Sequence, residues 1–471
     1  MQSGQLACAS VCFLLGVGAI PLALRAQGSP PSGDIQLDVK EAELPNGLKV
    51  LMVEDHSAPV VSFQVWVRVG SKNERPGITG ISHLFEHMMF KGSKKYGPEE
   101  HARIVQSNGG TLNAFTTWDS TVYFENFPSE KLPLAMQLES ERFMNLAITD
   151  ETLKTEREVV KEERRFRTDN TPIGRALEEF MAVAFKAHPY GWPVVGWMTD
   201  LDAITLQDCK DYFRTHYAPN NAIVVIAGDF VPADAEAQVR RYFGKWKRQP
   251  PPPPVVTMEP PQKGERRVTL KAPVQNPMLL GGFHIGDYTN ADLPALEVLS
   301  QILSDGKSSR LYRKLVYEDQ TALSAEGAVL KMQHPGVFYA YASVKPGEDP
   351  RKVEDAFFKE LDRFKTEPVS DRELQKAQNG LESGFVFSLK RVYSLGMSVG
   401  EAQLMGGDWR LVNQRLSRYR AVTKEDLMRV AQTYFTVDNR TLVTLVPEKS
   451  VEPSAAPAPK APAAPPARQP R

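Results

Sequence analysis

The sequence predicts an α+β protein of two homologous mixed α/β domains, each a sheet with helices packed on it, joined by a Pro-rich linker. Three observations predict it. Short β-branched or alternating runs bounded by turn residues are interleaved with amphipathic helical stretches. The chain also repeats itself. ITLQDCKDYFRTHYAPNNAIVVIAGD (204–229) is echoed by VTKEDLMRVAQTYFTVDNRTLVTLVPE (422–448), with Asp208 matching Asp426 and Asn221 matching Asn439, an offset of 218 (426−208). TDETLKTE at Thr149 is matched by SDRELQKA at Ser370, an offset of 221 (370−149), and FKGS at Phe90 loosely by SDGK at Ser304, an offset of 214 (304−90). Offsets this close indicate two related halves. Between them, Pro250 to Pro254 cannot be helix or central strand and must run extended.

The first segment, MQSGQLACASVCFLLGVGAIPLALRAQG, has an apolar run from Leu6 to Leu24 followed by Leu24-Arg25-Ala26, which reads as a secretory signal over 1–26. The expectation is export, with the protein periplasmic or secreted. Gly16, Gly18 and Pro21 make a poor spanning helix, which favours cleavage over the alternative of an uncleaved membrane anchor, so stable membrane insertion is not expected otherwise. Cleavage removes Cys8 and Cys12 and leaves Cys209 alone, so no intramolecular disulfide is available.

The first domain is read over 36–249. IQLDVKEAELPNGLKVLMVEDH gives a strand, a turn at Pro45-Asn46-Gly47 and a second strand, and APVVSFQVWVRVGS gives a third. A helix around His83 follows, then Gly109-Gly110 and alternating residues from Thr111 to Phe124, a hairpin. Leu132 to Ala147 and Asp150 to Arg167 read as helices, the second capped by Thr149 or Asp150. The linker is read over 250–262 and the second domain over 263–448. Residues 449–471 are Pro- and Ala-rich with nothing to bury, and are expected to be disordered.

Lys+Arg and Asp+Glu both number 57 in the 471 residues, so there is no overall basic field and no nucleic-acid partner is expected. The chemistry concentrates at His83-Leu84-Phe85-Glu86-His87. On a helix, His83 and His87 stand one turn apart on one face, which is the spacing of two zinc ligands, and Glu86 is placed to act as a general base. Two His on an ordinary helix is the plainer alternative. The charged stretch ETLKTEREVVKEERRFR carries two readings as well. It is either a solvated face laced with i,i+4 pairs or, because Glu156 and Glu163 flank the apolar Val159 and Val160, a helix that turns a carboxylate inward to complete a metal site.

These motifs resemble the inverzincin metallopeptidases, the family of pitrilysin, insulin-degrading enzyme and the mitochondrial processing peptidase, and look most like its short two-domain bacterial members. The likeness runs from about Val39 to Glu448, through GISHLFEHMMFKGS, NGGTLNAFTTWDSTVYF, EREVVKEERR and HPYGWPVVGWMTDLDAI in the family's order. It implies that His83, His87 and Glu163 hold one Zn2+ per chain, that Glu156 orients the site, and that Glu86 is the catalytic base. It further implies that Asn113 and Ala114 hold an extended peptide or unfolded protein along Thr111 to Thr117, within an enclosed chamber. His188 is read as structural. In the second half, Ser300 and Gln301 fall near the places of Glu86 and His87, and Gly384 near that of Glu163, so that half is expected to lack the metal. Single-chain relatives bring an Arg and a Tyr to the substrate carbonyl from a segment resembling LVYEDQTAL. Val316 and Leu323 stand at those places here, with Arg310, Arg313 or Tyr312 as substitutes if the register slips. The resemblance therefore implies a hetero-oligomer with a related non-zinc subunit. The alternative function is a metal-binding but weakly active chain serving as scaffold or peptide-binding half of such a complex.

Overall fold

The computed structural model describes residues 35–448; the signal segment 1–26 and the tail 449–471 of the sequence reading lie outside the described residues. The first half runs β1 (Val39–Glu43), β2 (Lys49–Glu54), β3 (Val60–Val67), α1 (Ile81–Met88), α2 (Glu100–Ser107), β4 (Thr111–Thr116), β5 (Thr121–Pro128), α3 (Leu132–Asn145), α4 (Asp150–Arg164), α5 (Pro172–Ala184), α6 (Met198–Ala203), α7 (Leu206–His216), β6 (Ala222–Gly228) and α8 (Pro232–Phe243). The second runs β7 (Arg266–Ala272), β8 (Met278–His284), α9 (Leu293–Ser304), β9 (Ala322–Leu330), β10 (Val337–Val344), α10 (Pro350–Thr366), α11 (Asp371–Leu389), α12 (Val392–Met405), α13 (Arg415–Arg420), α14 (Lys424–Tyr434) and β11 (Arg440–Pro447).

The two sheets repeat one topology. The first has the order β1-β2-β6-β3-β5-β4 and the second β7-β11-β8-β10-β9. In each, one parallel pair (β2 with β6, β7 with β11) is followed by antiparallel neighbours, so the second sheet is the first without β1. The central strands β3 and β6 are rich in β-branched residues and buried on both faces, as a sheet covered on two sides requires.

What covers the two faces differs in origin. Val61, Phe63, Val65 and Val67 of β3 face a core formed with α1, α3, α7 and α8 of the same half. The opposite face, with Trp66, Ile223 and Val225, is covered by Leu395, Val399 and Leu404 of α12 from the second half. The arrangement is reciprocal. Ala176, Leu177, Phe180 and Met181 of α5 pack on Met278, Leu280, Val443 and Leu445 of the second sheet. Close approach depends on glycine: a Cβ on Gly400 would lie 2.3 Å from the Trp66 ring, and one on Gly282 would lie 2.6 Å from Phe180. Gly400→Leu is therefore expected to destabilise the fold by about 2 to 3 kcal/mol, the scale of overpacking, and to lower the midpoint of thermal unfolding. An unchanged midpoint would show that α12 can move off the sheet at no cost.

The Pro-rich segment between α8 and β7 has no regular structure, yet it is tied down. Glu259 accepts the backbone N–H of Lys186, Ala187 and His188 at 3.0, 2.8 and 3.0 Å. Two helix details differ from the sequence reading. Helix α4 ends at Arg164 and passes into one wider turn over Arg165–Asp169, and Val159 is 42% exposed. Val160 alone, fully buried, presses that part of α4 onto the core. Among the described residues no helix is long and apolar enough to cross a membrane.

Candidate metal centre

Helix α1 is buried along its whole length, its Leu84, Phe85 and Met88 entering the core and Phe85 stacking on Tyr212 with ring centroids 5.2 Å apart. Its start is held by two carboxylates. Glu74 accepts the N–H groups of Gly80 and Ser82, both at 2.8 Å, and Asp200 accepts those of Gly77 and Thr79 at 3.1 and 3.2 Å. Burial pushes the Glu74 carboxyl up to about 8. Gly80 has φ +88° and its α-carbon faces the Val195 carbonyl, 2.5 Å from where a Cβ would stand, so only glycine fits.

On this helix His83 and His87 stand with ring centroids 4.8 Å apart. Helix α4 crosses α1 and brings Glu163 to both: its Oε2 lies 3.7 Å from His83 Nε2 and 3.1 Å from His87 Nε2. One ligand atom from each of the three lies within 4.8 Å of the other two. The sequence reading placed these residues in one site, and the structure brings them together. Glu163 Oε1 takes Arg167 Nη1 at 2.8 Å, one helical turn on. Burial works against an ionised Glu163, but the close contact with His87 and the charges of His83, His87 and Arg167 outweigh it and hold the carboxyl at about 2. Burial likewise disfavours a charged His87, yet Glu156 and Glu163 overcome it and raise the imidazole to about 9. Burial lowers His83.

Glu156, 1% exposed, faces His87 Nδ1 from 3.7 Å with one oxygen and the ammonium of Lys91 from 3.3 Å with the other. Glu86 is equally buried. Its Oε2 lies 4.0 Å from His83 Nε2 and accepts a hydrogen bond from Thr116 Oγ1 at 2.8 Å. The buried Nε2 of His87 meets Glu163 Oε2 at 3.1 Å without the alignment of a hydrogen bond, so the contact is an ion pair. Two imidazole nitrogens and one carboxylate oxygen form a donor set that suits Zn2+ and leaves a fourth position open.

Asn113 and Ala114 lie on β4, which among the described residues pairs with β5 alone and has no strand on its other edge. Ala114 is buried and Asn113 half-buried, and Asn113 Oδ1 accepts the Ala114 N–H at 2.9 Å, so a peptide reaching for that N–H competes with a side chain already on it. His188 is outside the centre: its Nδ1 accepts the Tyr190 N–H at 3.2 Å. In the second half α9 and α11 pack as α1 and α4 do, but Gln301 bonds Asp305 at 2.6 Å and no comparable donor group occurs there among the described residues.

A second cluster, His101, Glu125 and Glu139, also has ligand atoms within 4.8 Å. It is a different kind of site. Arg142 engages Glu139 with Nε at 2.9 Å and Nη2 at 2.5 Å, and His101 Nε2 bonds Glu125. A guanidinium already neutralises the carboxylate and repels a cation, so the cluster serves to tie α2, β5 and α3 together. Arg167, Thr116, Glu74 and Lys91 are the contributors to the metal centre that the sequence reading missed. Arg167 was findable as the i+4 partner of Glu163, and Thr116 as the residue on the face of β4 that Ala114 also uses.

Residues 49–196 match the family model described as insulinase (peptidase family M16), and residues 203–381 match the one described as peptidase M16 inactive domain. Zinc protease PqqE of Helicobacter pylori is 30% identical over 447 residues, 93% of this chain and 99% of that one. The chain belongs to peptidase family M16. The M16 inactive-domain match, 203–381, takes in the end of the first half and most of the second, and contains none of His83, His87 and Glu163. An uncharacterized zinc protease of Bacillus subtilis, YmxG, is 23% identical over 400 residues, 85% of this chain and 96% of its own. Among solved structures, a protease from Helicobacter pylori is similar at a TM-score of 0.85 and 30% identity, over 88% of this chain and 100% of that one. A putative M16-like peptidase from Alicyclobacillus acidocaldarius reaches 0.77 at 20% identity over 88% and 100%, a likeness of fold.

Proposed function

We infer that this M16 chain is a zinc-dependent endopeptidase in which His83, His87 and Glu163 hold one Zn2+ and Glu86 is the general base. The observation that carries this is the meeting of α1 and α4, which sets two imidazoles and a strongly acidic carboxylate around one point with Glu86 beside it. The names of the relatives, zinc proteases, agree with it. Zn2+ in this position supplies Lewis acidity, polarising a peptide carbonyl and making water easier to deprotonate. Glu86 takes the proton from the attacking water and returns it to the leaving amine. Glu156 keeps the His87 ring oriented through Nδ1, and Arg167 holds Glu163 by the oxygen that faces away from the imidazoles. Substrate adds as an extended strand to the edge of β4 that carries no strand, through main-chain hydrogen bonds, with Asn113 and Ala114 in contact. Unfolded or short peptides are thus the substrate class, inside a chamber of which this chain forms one wall. The protein is exported, to the periplasm or beyond. In the two-chain members of the family that this sequence resembles, a chain without the zinc motif faces the catalytic one. This chain is one half of such a pair, its partner a related chain without the zinc motif, because Val316 and Leu323 offer no side-chain donor to the substrate carbonyl.

The test is metal content. Purified protein is expected to hold about one zinc, and His87→Ala or Glu163→Gln each to lower its occupancy. Because His87 in the metal-free protein is raised to about 9, zinc must displace a proton at neutral pH. Apparent affinity should therefore rise by about tenfold per pH unit from pH 7 and level off near pH 9, with proton release seen by calorimetry in buffers of different ionisation heat. Wild-type protein that binds no zinc at any pH would refute the proposed site.

A further inference from the structure

We propose that Thr116 is a positioning residue for Glu86, so that the strand offered to the substrate also aims the group that takes the proton. This rests on the reading of Glu86 as the general base. Thr116 closes β4, is 3% exposed, and gives its single hydroxyl proton to Glu86 Oε2 at 2.8 Å. The hydroxyl is itself held. Thr116 pairs with Thr121 of β5, and Thr121 Oγ1 is bonded to the Val69 carbonyl at 2.9 Å, which fixes this end of the hairpin. A β-branched side chain on a fixed strand has little freedom at χ1, so the donor points one way. A charge-assisted hydrogen bond from this fixed donor resists turning of the Glu86 carboxylate about its terminal bond and keeps Oε2 4.0 Å from His83 Nε2. By the two-residue period of a strand, Thr116 shares its face with Ala114, one of the positions assigned to substrate. Docking a peptide on β4 and orienting the base are thereby functions of one rigid strand.

Thr116→Val keeps the shape and removes the donor, while Thr116→Ser keeps the donor. With zinc content measured on each, Thr116→Val is expected to lower kcat by roughly ten- to a hundredfold at unchanged KM and unchanged zinc, and Thr116→Ser to recover most of it. In crystals of the zinc-loaded variants, the Glu86 carboxylate should be turned or split in Thr116→Val and in its wild-type place in Thr116→Ser. Wild-type kcat in Thr116→Val, equal losses in both variants, or a Glu86 carboxylate that does not move would each overturn the proposal. A zinc-loaded wild type that cuts no peptide would instead refute the peptidase reading, and the crystallographic comparison would still decide whether Thr116 positions Glu86.

Discussion

Glu86→Gln is expected to retain zinc and lose peptide hydrolysis by a factor on the order of a thousand. The substitution preserves volume and keeps an oxygen able to accept the hydrogen bond from Thr116. The ligand set, His83, His87 and Glu163, is untouched. What disappears is the carboxylate that takes a proton from water and returns it to the amine, and general acid–base groups of this kind are worth about a hundred- to ten-thousandfold. Metal analysis and turnover of an unstructured fluorogenic peptide, measured on the same preparation, separate the two effects. Loss of zinc together with activity would place Glu86 among the groups that hold the metal, and full activity would remove it from the mechanism.

The second large effect concerns the partner. The isolated chain is expected to be a weak peptidase and to gain on the order of a hundredfold or more when a related chain lacking H-x-x-E-H is added, the scale of one lost oxyanion donor. Val316 packs half-buried against the core of the second half and Leu323 is 50% exposed, and neither side chain can donate. Two of the residues that could replace them are already engaged. Arg310 makes a two-pronged contact with Glu373 at 2.9 and 3.2 Å and lies over the Phe364 ring, and Arg313 is drawn to Glu318 at 3.4 Å. A homodimer repeats the same deficit in both copies. Titrating the candidate partner into a constant amount of this chain and following turnover tests the idea, which fails if the chain alone already works at full rate and the partner adds nothing.

Local spacing was enough to read part of this protein. His83 and His87 are one helical turn apart, and Thr149 caps α4 through the Thr152 N–H, because such relations span few residues and do not depend on the rest of the fold. The internal repeat foretold two halves of one topology, and the matching strand orders bear that out, since a repeated hydrophobic pattern buries the same faces each time. The inward turn of α4 was legible only in outline. Val160 faces the core as its pattern suggests, but Val159 does not, because neighbouring positions on a helix point about 100° apart and one contact line cannot bury both. Beyond that distance the pattern is silent. No periodicity says that Glu74 will cap a helix whose residues start seven positions later, or that Thr116 will meet Glu86 across a sheet–helix contact. Nor does it say that each sheet will be covered on its second face by a helix of the other half. An apolar face states that it must be buried, and not by what. Only the packing of α12 on the first sheet and α5 on the second, through Gly400 and Gly282 where no side chain keeps the surfaces apart, decided that the two halves are one folded unit.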